Sequence, residues 1–241
     1  MKVARICALA LVVTLVGAGS IGALDLSIGG SFGGNLGAVN SDRRQEINEG
    51  SGDIANMIRF GLDVGFTARA LFGGTFGVQS GAMYFWRTGG LRTSGSFPDP
   101  DDPDDTVSNW FRVLDRIHVL RIPALGVARF SMQDEIWLAP HAGAMVDFLI
   151  GWEQASGFGD APGDLDGEYD TLDPDSGWRQ PAFSWAVGFD VEYEQDDERW
   201  TGAIGPRFSR SLTSFGPDDD DSDTDKRFTT YGISISVNYE L

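Results

Sequence analysis

From Leu24 to Leu241 apolar and polar residues alternate in short segments. In the first segment Leu24, Leu26, Ile28 and Phe32 share one parity, and Asp25, Ser27, Gly29 and Ser31 the other. The second sets Ile58, Phe60, Leu62, Val64 and Phe66 against Arg59, Gly61, Asp63, Gly65 and Thr67. The third sets Phe76, Val78, Ala82, Tyr84 and Trp86 against Gly77, Gln79, Gly81 and Arg87. The sixth carries Phe183, Trp185, Val187, Phe189, Val191 and Tyr193 on one face, and the eighth Tyr231, Ile233, Ile235, Val237, Tyr239 and Leu241. Segments near 117–130, 137–152 and 200–212 repeat the period more noisily. A period of two predicts β-strands with one apolar face.

The gaps between segments have a pattern of their own. Tight turns are expected at Ala70 to Gly74, Ser131 to Glu135 and Gln195 to Arg199; long loops are expected at 35–56, 88–115, 153–180 and 213–227. Eight strands with alternating short and long connections and both termini on one side predict an all-β fold, an eight-stranded antiparallel transmembrane β-barrel. A soluble barrel has the same alternation with its apolar face inside, so the sign of the pattern decides. Eight strands leave room only for side chains, and glycines and small polar residues fill the polar parity. Trp86, Trp152, Trp185 and Tyr231 border the long gaps, while Trp137, Tyr193, Trp200 and Tyr239 border the short ones. Two aromatic girdles imply two membrane interfaces.

Composition places this barrel. Lys2 and Arg5, the apolar run Ile6 to Val16 and the small residues Gly17 to Ser20 form the tripartite pattern of a secretory signal peptide over residues 1–23. Residues 24–241 then form one barrel domain exported to the cell outer membrane of a Gram-negative-type envelope. Cys7 is the only cysteine, so the exported chain carries no thiol chemistry. Removing residues 1–23 takes the net charge from −18 to −20, which disfavours nucleic acid as a partner.

The polar parity places charges in the lumen: Arg59, Asp63, Arg121, Arg129, Asp147, Asp190, Glu192, Arg207 and Glu240. In so narrow a space they must pair, because an unpaired buried charge costs several kcal/mol; they form either a structural plug or a gated ion path. Of two histidines, His141 takes the lumen parity and His118 lies near the outer end of the fourth strand, with no serine or glutamate set beside it by a motif. Eighteen of the 36 acidic residues crowd three long loops. Asp101, Asp102, Asp104 and Asp105 with Asp218, Asp219, Asp220 and Asp221 are candidates for weakly bound calcium, which favours clustered carboxylates; a solvated acidic surface is the alternative.

The run Ile117-His118-Val119-Leu120-Arg121-Ile122-Pro123-Ala124-Leu125 resembles the opening of the fourth strand in the outer-membrane-protein β-barrel domain family, the small eight-stranded porin-like and PorT-like barrels built like OmpA and OmpX. Arg121 stands where that family usually has an acidic residue. The chain end, Ile233, Ile235, Val237, Tyr239 and Leu241, resembles the signal read by the barrel-insertion machinery, with Leu241 in place of the usual terminal aromatic. The resemblance implies outer-membrane lipid, insertion machinery and periplasmic chaperones as partners, and no general catalytic residues. The expectation is a monomeric, non-enzymatic barrel with a plugged polar lumen and acidic surface loops for structural or binding roles, including an unknown extracellular ligand. The alternatives are a narrow porin-like pore, a lipid A-modifying enzyme and a soluble periplasmic barrel.

Overall fold

The computed structural model describes residues 24–41, 54–98, 106–159, 170–172, 181–194, 199–213 and 226–241. The expected signal peptide and the aspartates 101–105 and 218–221 lie outside the described residues. The strands are β1 (Leu24–Ser41), β2 (Ile54–Met57), β3 (Arg59–Phe72), β4 (Phe76–Pro98), β5 (Thr106–Ala128), β6 (Phe130–Gln133), β7 (Ile136–Gly159), β8 (Asp170–Leu172), β9 (Ala182–Glu194), β10 (Trp200–Ser211) and β11 (Lys226–Glu240). Eight of them are staves, paired antiparallel in the order β1-β3-β4-β5-β7-β9-β10-β11, and β11 pairs back onto β1 to close the barrel. Among the described residues, β2, β6 and β8 are short pieces that pair with β4, β7 and β7.

The register fixes the barrel's shape. Partners followed once around run Ile28, Ala68, Ser80, Ala124, Ala144, Trp185, Arg210, Thr229 and back to Ala38, a stagger of ten residues on β1. Eight staves with that stagger tilt by about 41° and leave about 8 Å from axis to backbone, given ordinary strand rise and spacing. Such a lumen holds side chains and little else.

Two of the three expected turns lie among the described residues and are short, while residues 195–198 of the third lie outside them. Gly73 and Gly74 take positive φ (58° and 69°) between β3 and β4, where glycine has no Cβ to strain. Asp134 and Glu135 close β6 on β7, with Glu135 at φ 68°. The strands overrun the expected loops on the other side. The β4–β5 pairing continues to Pro98↔Thr106, β7 reaches Gly159 and β1 reaches Ser41. Membrane strands need only about ten residues, so β4, β5 and β7, at 23, 23 and 24 residues, form a ribbon that continues beyond a bilayer. A ribbon outside lipid need not alternate, and the sequence over 88–96 loses its period of two while its backbone stays paired.

Inside and outside follow parity. Ile28, Phe32, Phe60, Phe66, Val187, Ile204, Ile233 and Ile235 are exposed on the outer wall, whereas Asp63, Arg121, Asp147, Glu192 and Asn238 are buried within. Burial is thus inverted relative to a soluble barrel: the charges are in the core and the exposed wall is apolar. On the turn side Phe76, Phe130, Tyr193, Trp200 and Tyr239 fall on one level by register, with Trp200 and Tyr239 rings 4.8 Å apart. On the loop side Trp86, Trp185, Phe208 and Tyr231 bound the wall. Eight residues on β9, β10 and β11 and ten on β4 separate the two girdles, about 20–25 Å at this tilt, close to the height of a hydrocarbon belt.

Two tryptophans depart from the girdles expected of them. Trp137 takes the lumen parity, paired across from Glu192, with the Arg129 guanidinium 4.3 Å from its ring centre. Trp152 is buried in the lumen and donates Nε1–H to Asp115 at 3.0 Å. For Trp152 the cause is a bulge: the β5–β7 register shifts between His118 and Val119, so Ile150 is an extra residue and everything beyond it on β7 changes face.

Candidate functional site

The lumen is filled in layers. Nearest the turns, Arg69 on β3 forms an ion pair with Glu192 on β9. These staves are four apart in a ring of eight, so the pair spans the full diameter. Arg69 also donates to Gln79 Oε1 at 3.1 and 3.3 Å, and Arg129 donates to Glu192 at 2.8 Å and pairs with Glu194. Glu192, fully buried, thus accepts from two guanidiniums. That is the compensation a carboxylate needs away from water.

At mid-height Arg121 holds Asp147 through both carboxylate oxygens, at 2.5 and 2.7 Å. Ser184 donates to Asp147 at 2.8 Å, and Arg121 reaches Ser209 on β10 at 3.3 Å. Both members of the pair are essentially inaccessible, at 1% and 0%. Asn35 donates to Asp63 at 3.4 Å, and Arg207 reaches across to the Met83 sulfur on the opposite stave at 3.7 Å. His141 faces Asp190 at 3.5 Å. Above this layer the lumen turns apolar: Met83, Phe85, Ile117, Val119, Leu149, Trp152, Ala182 and Phe228 pack into one cluster. Arg87 lies buried among them, 5.0 and 5.7 Å from the Phe85 and Phe228 ring centres.

Two voids flank the Arg69–Glu192 pair. One at mid-lumen, lined by Asn35, Asp63, Arg121 and Arg207 among others, offers about 20 Å³ to water centres, enough for one water. The other opens at the turn-side mouth between Asp25, Arg129, Glu194 and Glu240, at about 90 Å³ on the same measure.

Of the sequence-expected lumen charges, Asp63, Arg121, Asp147, Asp190 and Glu192 lie buried inside. Arg129 and Arg207 are partly accessible, and Arg59 stands at the loop-side end of β3. Glu240 is exposed at the mouth rather than enclosed, because β11 ends there. Arg69 and Arg87 were not among the expected charges; Arg69 was hidden because the turn was expected to begin at Ala70, whereas β3 continues to Phe72. Ile233, Ile235, Val237 and Tyr239 line the outer wall of β11 beside the β1 seam, and Leu241 N–H bonds the Leu26 carbonyl at 2.9 Å.

The outer wall has a polar cluster at the loop-side girdle. Tyr84 OH lies 2.5 Å from His118 Nδ1, His118 Nε2 lies 3.9 Å from Glu153, and Arg116 donates to Glu153 at 2.9 Å. The Ile150 bulge is what turns Glu153 outward beside Arg116. No serine or other nucleophile joins the group in these contacts, which read as a paired polar patch at interface depth.

An eight-stranded closed barrel with a stagger of ten, an apolar wall and a charged core is a transmembrane β-barrel. The chain is similar in structure to solved outer-membrane proteins, all at low identity. Against OprG from Pseudomonas aeruginosa the TM-score is 0.40 at 12% identity, covering 91% of this chain and 96% of that one. Against Neisserial surface protein A the values are 0.39 and 11%, covering 90% and 97%. Against the outer membrane protease OmpT from Escherichia coli they are 0.38 and 10%, covering 90% and 96%. No protein-family model and no curated protein matches the chain.

Proposed function

We propose that the protein is an outer-membrane barrel whose lumen does not conduct, a rigid stem that presents the β4–β5–β7 ribbon and the acidic connections at the cell exterior for structural or binding work. It acts without catalysis and without transport. The observation that carries this reading is the cross-lumen pair Arg69–Glu192, which bridges opposite staves beneath the apolar cap of Phe85, Trp152 and Phe228. An ion entering from the turns would have to break that pair, then cross a one-water void, then pass an apolar constriction. The charged groups along this path, Asp63, Arg121 and Arg207 among them, surround a void with room for one water, too small for a hydrated ion, and stripping the ion of its water costs desolvation.

The lengths of the connections support an orientation with the short turns in the periplasm and the ribbon outside, and the pattern of residues 1–23 supports export. Single-channel recording of refolded protein in planar bilayers tests the reading. Silence across the accessible voltage range is expected. Stable, reproducible conductance steps would replace the stem by a narrow pore.

A further inference from the structure

Away from the Tyr84–His118 patch, the outward faces of β10 and β11 carry Arg210 and Arg227, both exposed. Arg210 is the register partner of Thr229, and Arg227 lies two residues further along the same face, so the two guanidiniums stand diagonally across one strand pair. Arg116 on the other side of the barrel has its charge met by Glu153 at 2.9 Å. Among the described residues, neither Arg210 nor Arg227 has an acidic partner or a hydrogen-bond acceptor. This is notable in a chain of net charge −18, where acids outnumber bases 36 to 18. Two adjacent like charges with no acidic partner among the described residues repel each other, and a dianion between them relieves both.

Depth tells which dianion. Directly below the arginines, toward the belt, Trp185, Phe208 and Tyr231 form a cross-strand ladder with ring centres 5.1 and 4.9 Å apart. The ladder lies on the outer wall, where its rings meet lipid tails, and the guanidiniums stand just beyond it at the headgroup level. Guanidinium forks match phosphate oxygens in bidentate geometry. We propose that Arg210 and Arg227 bind the phosphomonoester of a lipid headgroup in the loop-side leaflet, with the Trp185–Phe208–Tyr231 ladder carrying the acyl chains beneath it. The site depends only on the wall facing lipid; it is indifferent to whether the lumen conducts.

The test is electron spin resonance of spin-labelled phosphatidic acid against spin-labelled phosphatidylcholine, with the protein refolded in phosphatidylcholine vesicles. The immobilised fraction should favour phosphatidic acid by up to about thirtyfold, since each of the two basic side chains at the headgroup level contributes a factor of about five. The double variant R210Q/R227Q should bring the preference near unity, while Arg199→Gln, exposed on the turn side, should leave it unchanged. Heat-modifiable gel mobility verifies that each variant is folded. An undiminished preference in the folded R210Q/R227Q variant overturns the proposal. So does a wild-type preference near unity, which would leave the arginines to a free anion; competition by inorganic phosphate beyond that of sodium chloride at equal ionic strength is expected, since both ligands present the same phosphate oxygens to the guanidiniums.

Discussion

Ile235 gives the clearest quantitative prediction. It lies on the outer wall of β11, 54% exposed, four residues from Tyr231 at the loop-side girdle and four from Tyr239 at the turn-side girdle. At a rise of about 3.3 Å per residue and a tilt of about 41°, four residues correspond to about 10 Å of depth. Ile235 is therefore at the midplane of the belt. Replacing it with Arg places a guanidinium in hydrocarbon with no lumen partner in reach, at a cost of about 2–4 kcal/mol. Tyr239→Arg, at the rim, should cost about 0–1 kcal/mol, because the side chain reaches water. Reversible urea unfolding in phospholipid vesicles, followed by tryptophan fluorescence, measures both. Equal losses at the two sites, or a larger loss at Tyr239, would refute the assignment of this face and these depths.

Substitutions at Arg121, Asp147 and Gly205 probe the interior, with Gly30 on the outer wall as the control. Arg121→Met leaves Asp147 buried without its bidentate partner and should lower stability by about 3–5 kcal/mol, whereas the double variant with Asp147→Leu should recover most of that loss in the same titration. Gly205→Ala should lower stability by about 1–3 kcal/mol, since a Cβ there would meet the Phe189 carbonyl oxygen at 1.9 Å and the Asp190 carboxylate at 2.6 Å. Gly30→Ala, with nothing within 4 Å of its Cβ on the outer wall, should be near neutral by comparison.

The architecture was legible because membrane strands write their two solvents into alternate residues. Wherever both faces of a stave have fixed environments, as at 183–193 and 231–239, parity alone assigns each side chain correctly. Legibility fails where that contrast ends. Beyond the bilayer the β4–β5 ribbon keeps its pairing without alternation, so a strand reads as a loop. At Ile150 one inserted residue reverses parity, which moves Trp152 into the core and Glu153 to the wall, and nothing in the local sequence announces it. The lumen network is harder still. That Arg69 meets Glu192 across 123 positions follows from the stagger and the stave order, which are properties of the closed sheet and not of either segment. The apolar cap has the same origin: Met83, Phe85 and Leu149 sit on the polar parity of their strands, where only closure shows that they face one another.

The sealed lumen is the central claim, and residues 24–241 contain no cysteine to complicate a direct test. A single cysteine at Ser234, which faces the lumen at mid-strand and is 7% exposed, can be challenged with a small water-soluble methanethiosulfonate in proteoliposomes. The account predicts no labelling of the folded barrel and full labelling after denaturation. Rapid labelling of the folded barrel would mean a continuous water path through the lumen, and the stem would have to be read as a pore.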